Sequence, residues 1–490
     1  MQRTLDLDLP ILKRIGQIAD HHGATIYLVG GYVRDVLLGS VGTDIDITVE
    51  GSGVDFARLV ARELRARVVP FERFGTAMVA VDDYHLEFVG TRQEKYESDS
   101  RKPIVTEGSL EDDLRRRDFT VNAMAVRLGA AQQGEVIDLF DGLVDLKGRL
   151  LRTPLDPHAT FADDPLRMMR GARFASQLEF DLDPASFDAI RDLRERIQII
   201  SQERISDEVL KILSTRRPSI GLAILFETGL LGIVFPEVDR LAGVDLVSHG
   251  GVAYAHKDVF WHTLKVVDNI AASTENVWLR FAALMHDIAK PRTKRLREGI
   301  GWTFHGHDEI GARWQERIFR RLKLPMREAA YVAQLVRLHH RPMVLVDEGV
   351  TDSAIRRLVV DAGPVLDDLF VLCRADITSR DPRRVRRYLA NYDTVIERIK
   401  EVREKDELRA FQSPVRGDEI MRICNLPPSR AVGMLKQAIE EAILDGRIQN
   451  TRDDALKFLD AVKDDLLSEM PVGYLRGPGR GNDRSATGGD

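Results

Sequence analysis

Two parts of this sequence gather residue types that act on phosphate, and they do so with different chemistry. The first is LVGGYVRDVLLGSVGTDIDITVEG, residues 28–51. A strand-like run ends at Gly30-Gly31, where residues without Cβ let the backbone approach a ligand. A helix starting near Tyr32 would turn its N–H groups and positive end toward whatever binds there. That is a cradle for a triphosphate, with Arg34 within reach. Ten residues after Arg34, Asp44-Ile45-Asp46 opens a run of alternating apolar residues. Side chains two apart on a strand share a face, so Asp44 and Asp46 can converge on the same hard cations, for which Mg²⁺ is the natural choice. Two such ions would lower the pKa of an attacking 3′-hydroxyl and stabilise a leaving pyrophosphate, which is nucleotidyl transfer. Gly-Gly alone is commonly a plain turn, and Asp-x-Asp a solvated strand end. Joined in one strand-turn-helix-strand unit, they read as a site. Glu87, on the strand HLEFVG, is a candidate third carboxylate, although a lone strand glutamate is usually solvated.

Two further segments extend this site. LEDDLRRRDFTVNAMAV, residues 110–126, puts Arg117 and Asp118 just ahead of an apolar helix, where Arg117 can fork onto phosphate. In FADDPLRMMRGARFASQL, residues 161–178, Asp164, Arg167, Arg170 and Arg173 recur every three residues and so line one helical face. A carboxylate such as Asp164 accepts from an exocyclic amino group, and a guanidinium such as Arg167 donates to the neighbouring ring nitrogen. Cytosine and adenine both offer that pair. Guanine and uracil present a carbonyl where the carboxylate sits, so the pocket should take CTP and ATP and reject GTP and UTP. The plainer alternative is a surface salt bridge three residues apart.

The second chemistry lies between residues 256 and 380, which hold seven of the twelve histidines. They include His262 (FWHTL), His286-Asp287 (LMHDIAK), His305 and His307 (FHGHDEIGA) and His339-His340 (LVRLHHRP), followed by Asp376 (CRADI). A single histidine on an apolar face is more often a core residue than a ligand, but this concentration is different. Cys373 and Cys424 are the only cysteines and lack metal-ligand spacing, so any metal must be held by carboxylate and imidazole. An adjacent His-Asp on a helix, with a His before and an Asp after, resembles the HD phosphohydrolase superfamily. That resemblance implies His262, His286, Asp287 and Asp376 as ligands of one divalent ion, with His307 and His339 available for a second. Such a set suits a transition metal better than Mg²⁺. The implied chemistry is attack of activated water on a phosphomonoester or a 2′,3′-cyclic phosphate.

The elements that must position these residues change character along the chain. The first ~145 residues alternate strand-like runs (TIYLVGG, DIDITVE, TAMVAV, HLEFVG, EVIDLF) with helical stretches such as VDFARLVARELRAR. After residue 150 the strand signal nearly vanishes and helix follows helix. The expected fold is α+β, with an N-terminal mixed α/β palm followed by all-helical parts. Gly, Pro and Ser punctuation divides the 490 residues into a palm at 1–148, a helical neck at 149–245, an HD domain at 246–410 and a helical tail at 411–472. Residues 473–490 lack apolar content and are expected to be disordered.

Composition excludes little, with 44% hydrophobic and 30% charged residues and a net charge of −6. No run of ~18 apolar residues or signal-like start is present, so a cytoplasmic protein without a membrane partner is expected. Local basic patches fit phosphate contacts despite the acidic total: Arg115 to Arg117, and the denser Arg380, Arg383, Arg384, Arg386 and Arg387, which otherwise read as solvated helix faces.

The segments GGYVRD, DID, RRRDFTVNAMA and DDPLRMMRGARF resemble, in order, the motifs of the bacterial class II tRNA nucleotidyltransferase and poly(A) polymerase family, densely over the first ~215 residues, including ISQERISDEVLKIL, and more loosely beyond. The resemblance implies a polymerase-β-like palm, Asp44 and Asp46 on metal, and Gly31, Arg34, Arg117, Asp164, Arg167, Arg170 and Arg173 on the incoming nucleotide. It implies tRNA as partner and CTP and ATP as substrates. Asp163 departs from the family's usual glutamate. FVGTRQEKYESDSRKP, residues 88–103, is similar to the family's flexible loop that permits the switch from C to A addition, which favours full CCA addition or A addition alone. Residues 413–459 resemble the tail that contacts the tRNA elbow. There Arg430, after Leu426-Pro427-Pro428, would meet phosphate. The rivals are a poly(A) polymerase and an RNA-binding protein whose HD hydrolase is the only active centre.

Overall fold

The computed structural model describes residues 5, 9–40, 42–97, 100–129, 134–243, 248–249, 252–253, 258–297, 301–346, 350–406 and 413–468. The tail from 473 and the expected boundaries at 245 and 410 lie outside them. Contacts divide the chain into two compact units, Met1–Val336 and Arg337–Asp490.

The first unit opens with α1 (Pro10–His21), β1 (Ile26–Val29), α2 (Gly31–Leu37), β2 (Asp44–Val49), α3 (Gly53–Leu64), β3 (Arg67–Phe71), β4 (Thr76–Val81), β5 (Tyr84–Gly90), β6 (Arg92–Glu97), β7 (Ser100–Glu107), α4 (Leu110–Arg115), β8 (Met124–Leu128) and β9 (Val136–Asp138). Seven strands form one sheet in the order β3-β4-β5-β2-β1-β8-β9. Only β2 and β5 run parallel within it. On β2, alternation sends Ile45, Ile47 and Val49 into the core and leaves Asp44 and Asp46 on the opposite face. Val54, Phe56, Ala57 and Val60 of α3 pack on the strands, and Ser52 caps that helix by accepting from Asp55 N–H.

Two expectations are corrected here. The run TVNAMAV is not a helix but a 3-10 turn, Thr120–Asn122, leading into β8, which pairs with β1 and β9. A short apolar run buried between two strands carries no period that separates helix from strand. The segment 88–103, read as a loop, carries a two-stranded antiparallel hairpin of β6 and β7. Ladder bonds satisfy its backbone, and β7 contains the β-branched run Ile104-Val105-Thr106.

Helices then take over: α5 (Gly142–Gly148), α6 (Pro157–Asp163), α7 (Leu166–Leu178), α8 (Pro184–Leu193) and α9 (Gln202–Leu213). Asp156 and Pro157 start α6, and Pro165 ends it, because the residue before a proline is pushed out of helical geometry. Asp164 accordingly stands extended at φ −135°, ψ 98°. Further on, the helices Val259–Ala271, Val277–Met285, His307–Leu322 and Met326–Leu338 lead toward the second unit, whose helices include Asp352–Ala362, Leu366–Ala375, Pro382–Asp406, Gly417–Ile423, Arg430–Leu444 and Arg452–Ser468. The last three share a small core of Val415, Ile420, Leu435, Ile439, Ala455 and Leu459. No helix among the described residues is long and apolar enough to cross a membrane.

Arg280, 1% exposed, joins the helical part of the first unit by donating to the carbonyls of Leu213 (2.8 Å), Thr215 (2.9 Å), Ala271 (3.1 Å) and Thr274 (2.8 Å). Arg280→Met keeps the aliphatic stem and strands those buried carbonyls. Urea unfolding should show a loss of about 3 kcal/mol; a loss below about 1 kcal/mol would mean that these bonds do not hold the helices together.

Candidate active site

At the end of β1 the backbone turns through Gly30 with φ +71°, a conformation that favours glycine. Space matters as much, since a Cβ there would lie 2.7 Å from Arg117 Nη1 and 3.3 Å from Asp46 Oδ2. Gly30 thus lets an arginine and a carboxylate meet over the sheet edge. The helix that follows, α2, has seven residues, so its dipole contributes less than expected and anion binding falls to side chains.

A hollow of about 420 Å³ is lined by Gly30, Gly31, Arg34, Asp46, Arg117, Asp164, Arg167 and Arg170, together with Arg116, Asp118, Asn122, Leu166, Phe174 and Arg204. Two buried acids order its arginines. Asp113, fully buried on α4, receives Arg116 Nε at 3.1 Å and Arg117 Nη2 at 3.0 Å. Asp118 receives Arg170 Nε at 2.7 Å, Asn122 Nδ2 at 3.0 Å and Phe119 N at 2.9 Å. Burial works against the Asp118 charge, but Arg170, the Asn122 amide and Arg167 outweigh it and hold the carboxyl well below the usual carboxylate range. Arg34 donates to Asn122 Oδ1 at 2.6 Å and forks onto Asp35. Arg117 Nε is buried without an acceptor among the described residues. It is a donor available to a phosphate.

Arg167 is anchored from behind, donating to Thr160 O at 3.3 Å and Arg116 O at 2.6 Å. Asp164 accepts from Leu166 N at 3.1 Å, and Arg204 Nη2 lies 3.7 Å from its other oxygen. Phe174 presents its ring to three guanidinium groups, Arg34 at 5.2 Å, Arg170 at 5.1 Å and Arg173 at 4.3 Å.

The metal-side residues lie on neighbouring strands. Asp44 and Asp46 stand opposite His85 and Glu87 in the parallel β2–β5 register. Asp44 is exposed, sits 3.4 Å from His85 Nδ1 and is not part of the hollow's lining. Burial pushes the Asp46 carboxyl up to about 6; Arg117 opposes this, Glu87 and Asp44 add to it, and Arg34 opposes it. Three carboxylates crowded on one face of two neighbouring strands, with Asp46 pushed toward its neutral form, fit a divalent cation held by oxygen ligands.

Two of the expected pocket residues are elsewhere. Arg173 does not line the hollow but faces the buried Glu208, its Nε 3.2 Å from Oε2. A three-residue step turns about 300°, so the face slips by about 120° between Arg167 and Arg173. Asp164 also precedes α7 rather than lying on it. Asp163 ends α6, exposed and outside the lining. Conversely, Asp113, Asn122, Phe174, His85 and Arg204 were not picked out by the sequence. Of these, Asn122, Phe174 and Arg204 lay in the family-like segments RRRDFTVNAMA, DDPLRMMRGARF and ISQERISDEVLKIL without a role of their own, and the Glu-Arg-Ile setting of Arg204 gives no sign of its distant partner.

In the HD segment, His286 and Asp287 lie in the turn that closes helix Val277–Met285, not within a helix. Pro291 blocks continuation, and His286 Nδ1 donates to Ala283 O at 2.7 Å, using a carbonyl the helix would have needed. His307, first residue of its helix, makes the same kind of bond from Nδ1 to Phe304 O at 2.8 Å. Both rings then direct Nε2 at Asp287, His286 at 3.1 Å and His307 at 3.4 Å, while His262 Nε2 lies at 3.8 Å. With Nδ1 of His286 and His307 fixed on a backbone carbonyl, each Nε2 is directed at the Asp287 carboxylate, an arrangement that fits a shared transition-metal ion. Lys290 Nζ lies 2.7 Å from Asp287 Oδ2. His305 is exposed in the turn before His307. His339 and His340 follow helix Met326–Leu338, and Asp376 follows helix Leu366–Ala375, in the second unit. Arg383, Arg384, Arg386 and Arg387 are exposed on helix Pro382–Asp406, and Arg430 is exposed at the start of its own helix.

The chain matches three family models: the poly A polymerase head domain over residues 26–152, a probable RNA and SrmB binding site of polymerase A over 179–241, and the HD domain over 259–381. An A-adding tRNA nucleotidyltransferase of Deinococcus radiodurans is 33% identical over 443 residues, spanning 88% of this chain and 94% of the relative. The chain belongs to the tRNA nucleotidyltransferase and poly(A) polymerase family. Within that family, a CC-adding tRNA nucleotidyltransferase of Thermus thermophilus is 32% identical over 449 residues, spanning 88% of this chain and 92% of the relative. An apo structure of a CCA-adding enzyme shares the fold with a TM-score of 0.62 at 21% identity, covering 94% of this chain and 96% of that one.

Asp118→Asn should cost about 2 kcal/mol near neutral pH, allowing for the partial exposure of Arg170. Because the folded-state pKa is depressed, this stabilisation is present above the unfolded value near 4 and lost as pH falls through the folded one. The gap in urea-unfolding stability between parent and variant should therefore begin to narrow as pH falls below about 4; a gap that stays constant with pH would contradict the ion pair.

Proposed function

We propose that this family member adds C, C and then A to the 3′ end of tRNA from CTP and ATP, releasing pyrophosphate, and carries a phosphohydrolase in its HD domain. The observation that supports the first activity best is the convergence of base-reading groups (Asp164, Arg167), phosphate-binding groups (Arg34, Arg117) and Asp46 on one hollow. In the reaction the 3′-oxygen of the RNA bonds to the α-phosphorus, the bond to the β-phosphate oxygen breaks, and the hydroxyl proton is lost to solvent. Arg34 and Arg117 hold the triphosphate, and the buried Arg117 Nε–H is free to bind it. Asp164 accepts from the exocyclic amine of cytosine or adenine while Arg167, braced on two backbone carbonyls, donates to the ring nitrogen. Asp44 and Asp46, with Glu87 beside them, would hold Mg²⁺, which when bound favours ionisation of the 3′-hydroxyl and offsets charge on pyrophosphate. Gly30 and Gly31 let the phosphate chain approach the backbone.

The 88–103 segment supports A addition as part of the activity. A-addition alone is the second reading, favoured by the A-adding relative that this chain matches along 94% of its length. His262, His286 and Asp287 would hold a transition metal, with Asp376 supplied by the HD pattern and a second ion assigned by it to His307 and His339. Such a metal activates water against a phosphomonoester or a 2′,3′-cyclic phosphate. Arg383, Arg384, Arg386, Arg387 and Arg430 are proposed RNA-phosphate contacts.

The test uses purified protein, Mg²⁺ and two tRNA transcripts, one ending at the discriminator base and one carrying CC, each given CTP, ATP, GTP or UTP. We expect CC and then A on the first and A on the second. Asp44→Ala should abolish addition and spare hydrolysis of a 2′,3′-cyclic nucleotide, and His286→Ala should do the reverse. Activity on the CC transcript alone would establish the A-adding reading; long A tails, or addition surviving in Asp44→Ala, would overturn the proposal.

A further inference from the structure

A second hollow, of about 470 Å³, lies in the first unit beside the hairpin of strands Arg295–Arg297 and Gly301–Thr303. Among the described residues its lining includes Arg292, Thr293, Arg295, Arg297, His305 and Trp314 and contains no carboxylate. Arg295 and Arg297 are two apart on one strand and share a face. Arg292 approaches from the short helix Lys290–Thr293, and His305 from the turn before helix His307–Leu322. Trp314, half-buried two turns along that helix, and Ile310, four residues before it on the same face, give the hollow an apolar wall.

The charge balance is unlike that of the nucleotide hollow. There, Asp113, Asp118 and Asp35 answer Arg116, Arg117, Arg170 and Arg34. Here, among the described residues, none of Arg292, Arg295 and Arg297 forms an ion pair. Three exposed guanidinium groups around one hollow, none with an acid partner, make a local positive potential that favours a polyanion. A planar indole beside that charge suits a nucleobase. The volume is that of a small-ligand pocket rather than a strand-length groove, which favours a mononucleotide over a stretch of RNA.

We propose that this hollow is a second nucleotide site, taking the phosphate chain of a nucleoside di- or triphosphate on Arg292, Arg295 and Arg297 and the base on Trp314. Among the described residues its lining has no carboxylate to read an exocyclic amine, so it accepts guanine and uracil nucleotides as well as the other two. It also adjoins the HD residues. Phe304 O receives Thr293 Oγ1 from the hollow at 3.5 Å and His307 Nδ1 at 2.8 Å, and Lys290 reaches over the Phe304 ring at 5.6 Å while bonding Asp287. A nucleotide bound there is poised to influence that centre, but its binding does not depend on HD hydrolysis.

The experiment is calorimetric titration of the full chain with GTP in EDTA, which removes divalent metal from both centres. Wild type should bind one equivalent. The exposed pair Arg295→Ala/Arg297→Ala should weaken binding at least ~10-fold, or ~1.4 kcal/mol, with unchanged thermal unfolding and unchanged nucleotide addition to tRNA. Trp314→Phe should remove most of the GTP-dependent change in tryptophan fluorescence. No GTP binding by wild type, equal binding by the double variant, or binding of a single-stranded oligonucleotide but not GTP through the same arginines would overturn the proposal. Failure of the reading under Proposed function would appear instead in the addition assay, which these variants leave intact.

Discussion

Asp113 and Asp118 set the geometry of the nucleotide hollow. Six arginines surround it, and six like charges around about 420 Å³ would fly apart without answering anions. Both acids are almost fully buried, where an unpaired carboxylate would be costly, so each is obliged to keep its arginines: Asp113 holds Arg116 and Arg117, and Asp118 holds Arg170. Asn122 ties the two sides together, accepting from Arg34 and donating to Asp118. Phe174 offers its ring to three guanidinium groups, each of which also keeps an acid, Asp35, Asp118 or Glu208. The result is a lining whose donors are fixed before a ligand arrives, the condition for stabilising charge without reorganisation.

The two candidate metal-binding arrangements differ in the way that ligand chemistry requires. On β2 and β5 three carboxylates share one face, with His85 beside Asp44, a set that suits a hard cation beside phosphate oxygens. Around Asp287 three imidazoles converge, two of them with Nδ1 fixed on backbone carbonyls, which suits a softer ion. One chain can hold both because each set is built on separate local geometry: a strand pair in one case, and helix ends in the other.

What could be read from the sequence was what depends on local period. The i, i+2 spacing of Asp44 and Asp46, the Gly30-Gly31 turn and the helix carrying Arg167 and Arg170 all follow from one strand or one helix. The errors arose where a local rule was carried too far or was ambiguous. A three-residue repeat drifts around a helix, which took Arg173 to Glu208. Pro165 detached Asp164 from α7, and the short buried run before Leu128 reads equally as helix or strand. Arg204 was not legible because Asp164 comes near it only when α9 packs against α7, nor Asn122 because Arg34 lies 88 residues away; Asp113 pairs with Arg116 and Arg117 three and four residues on, a local spacing that could have marked it.

The central claim is that Asp164, oriented by Leu166 N and Arg204 and paired with the braced Arg167, selects the base. The most direct test is kcat/KM for incorporation of each of the four nucleotides into tRNA by wild type and Asp164→Ala. Wild type should favour CTP and ATP over GTP and UTP by at least ~100-fold, and the variant should lose most of that preference through slower use of CTP and ATP. Comparable use of all four nucleotides by wild type, or selectivity undiminished in the variant, would contradict the account.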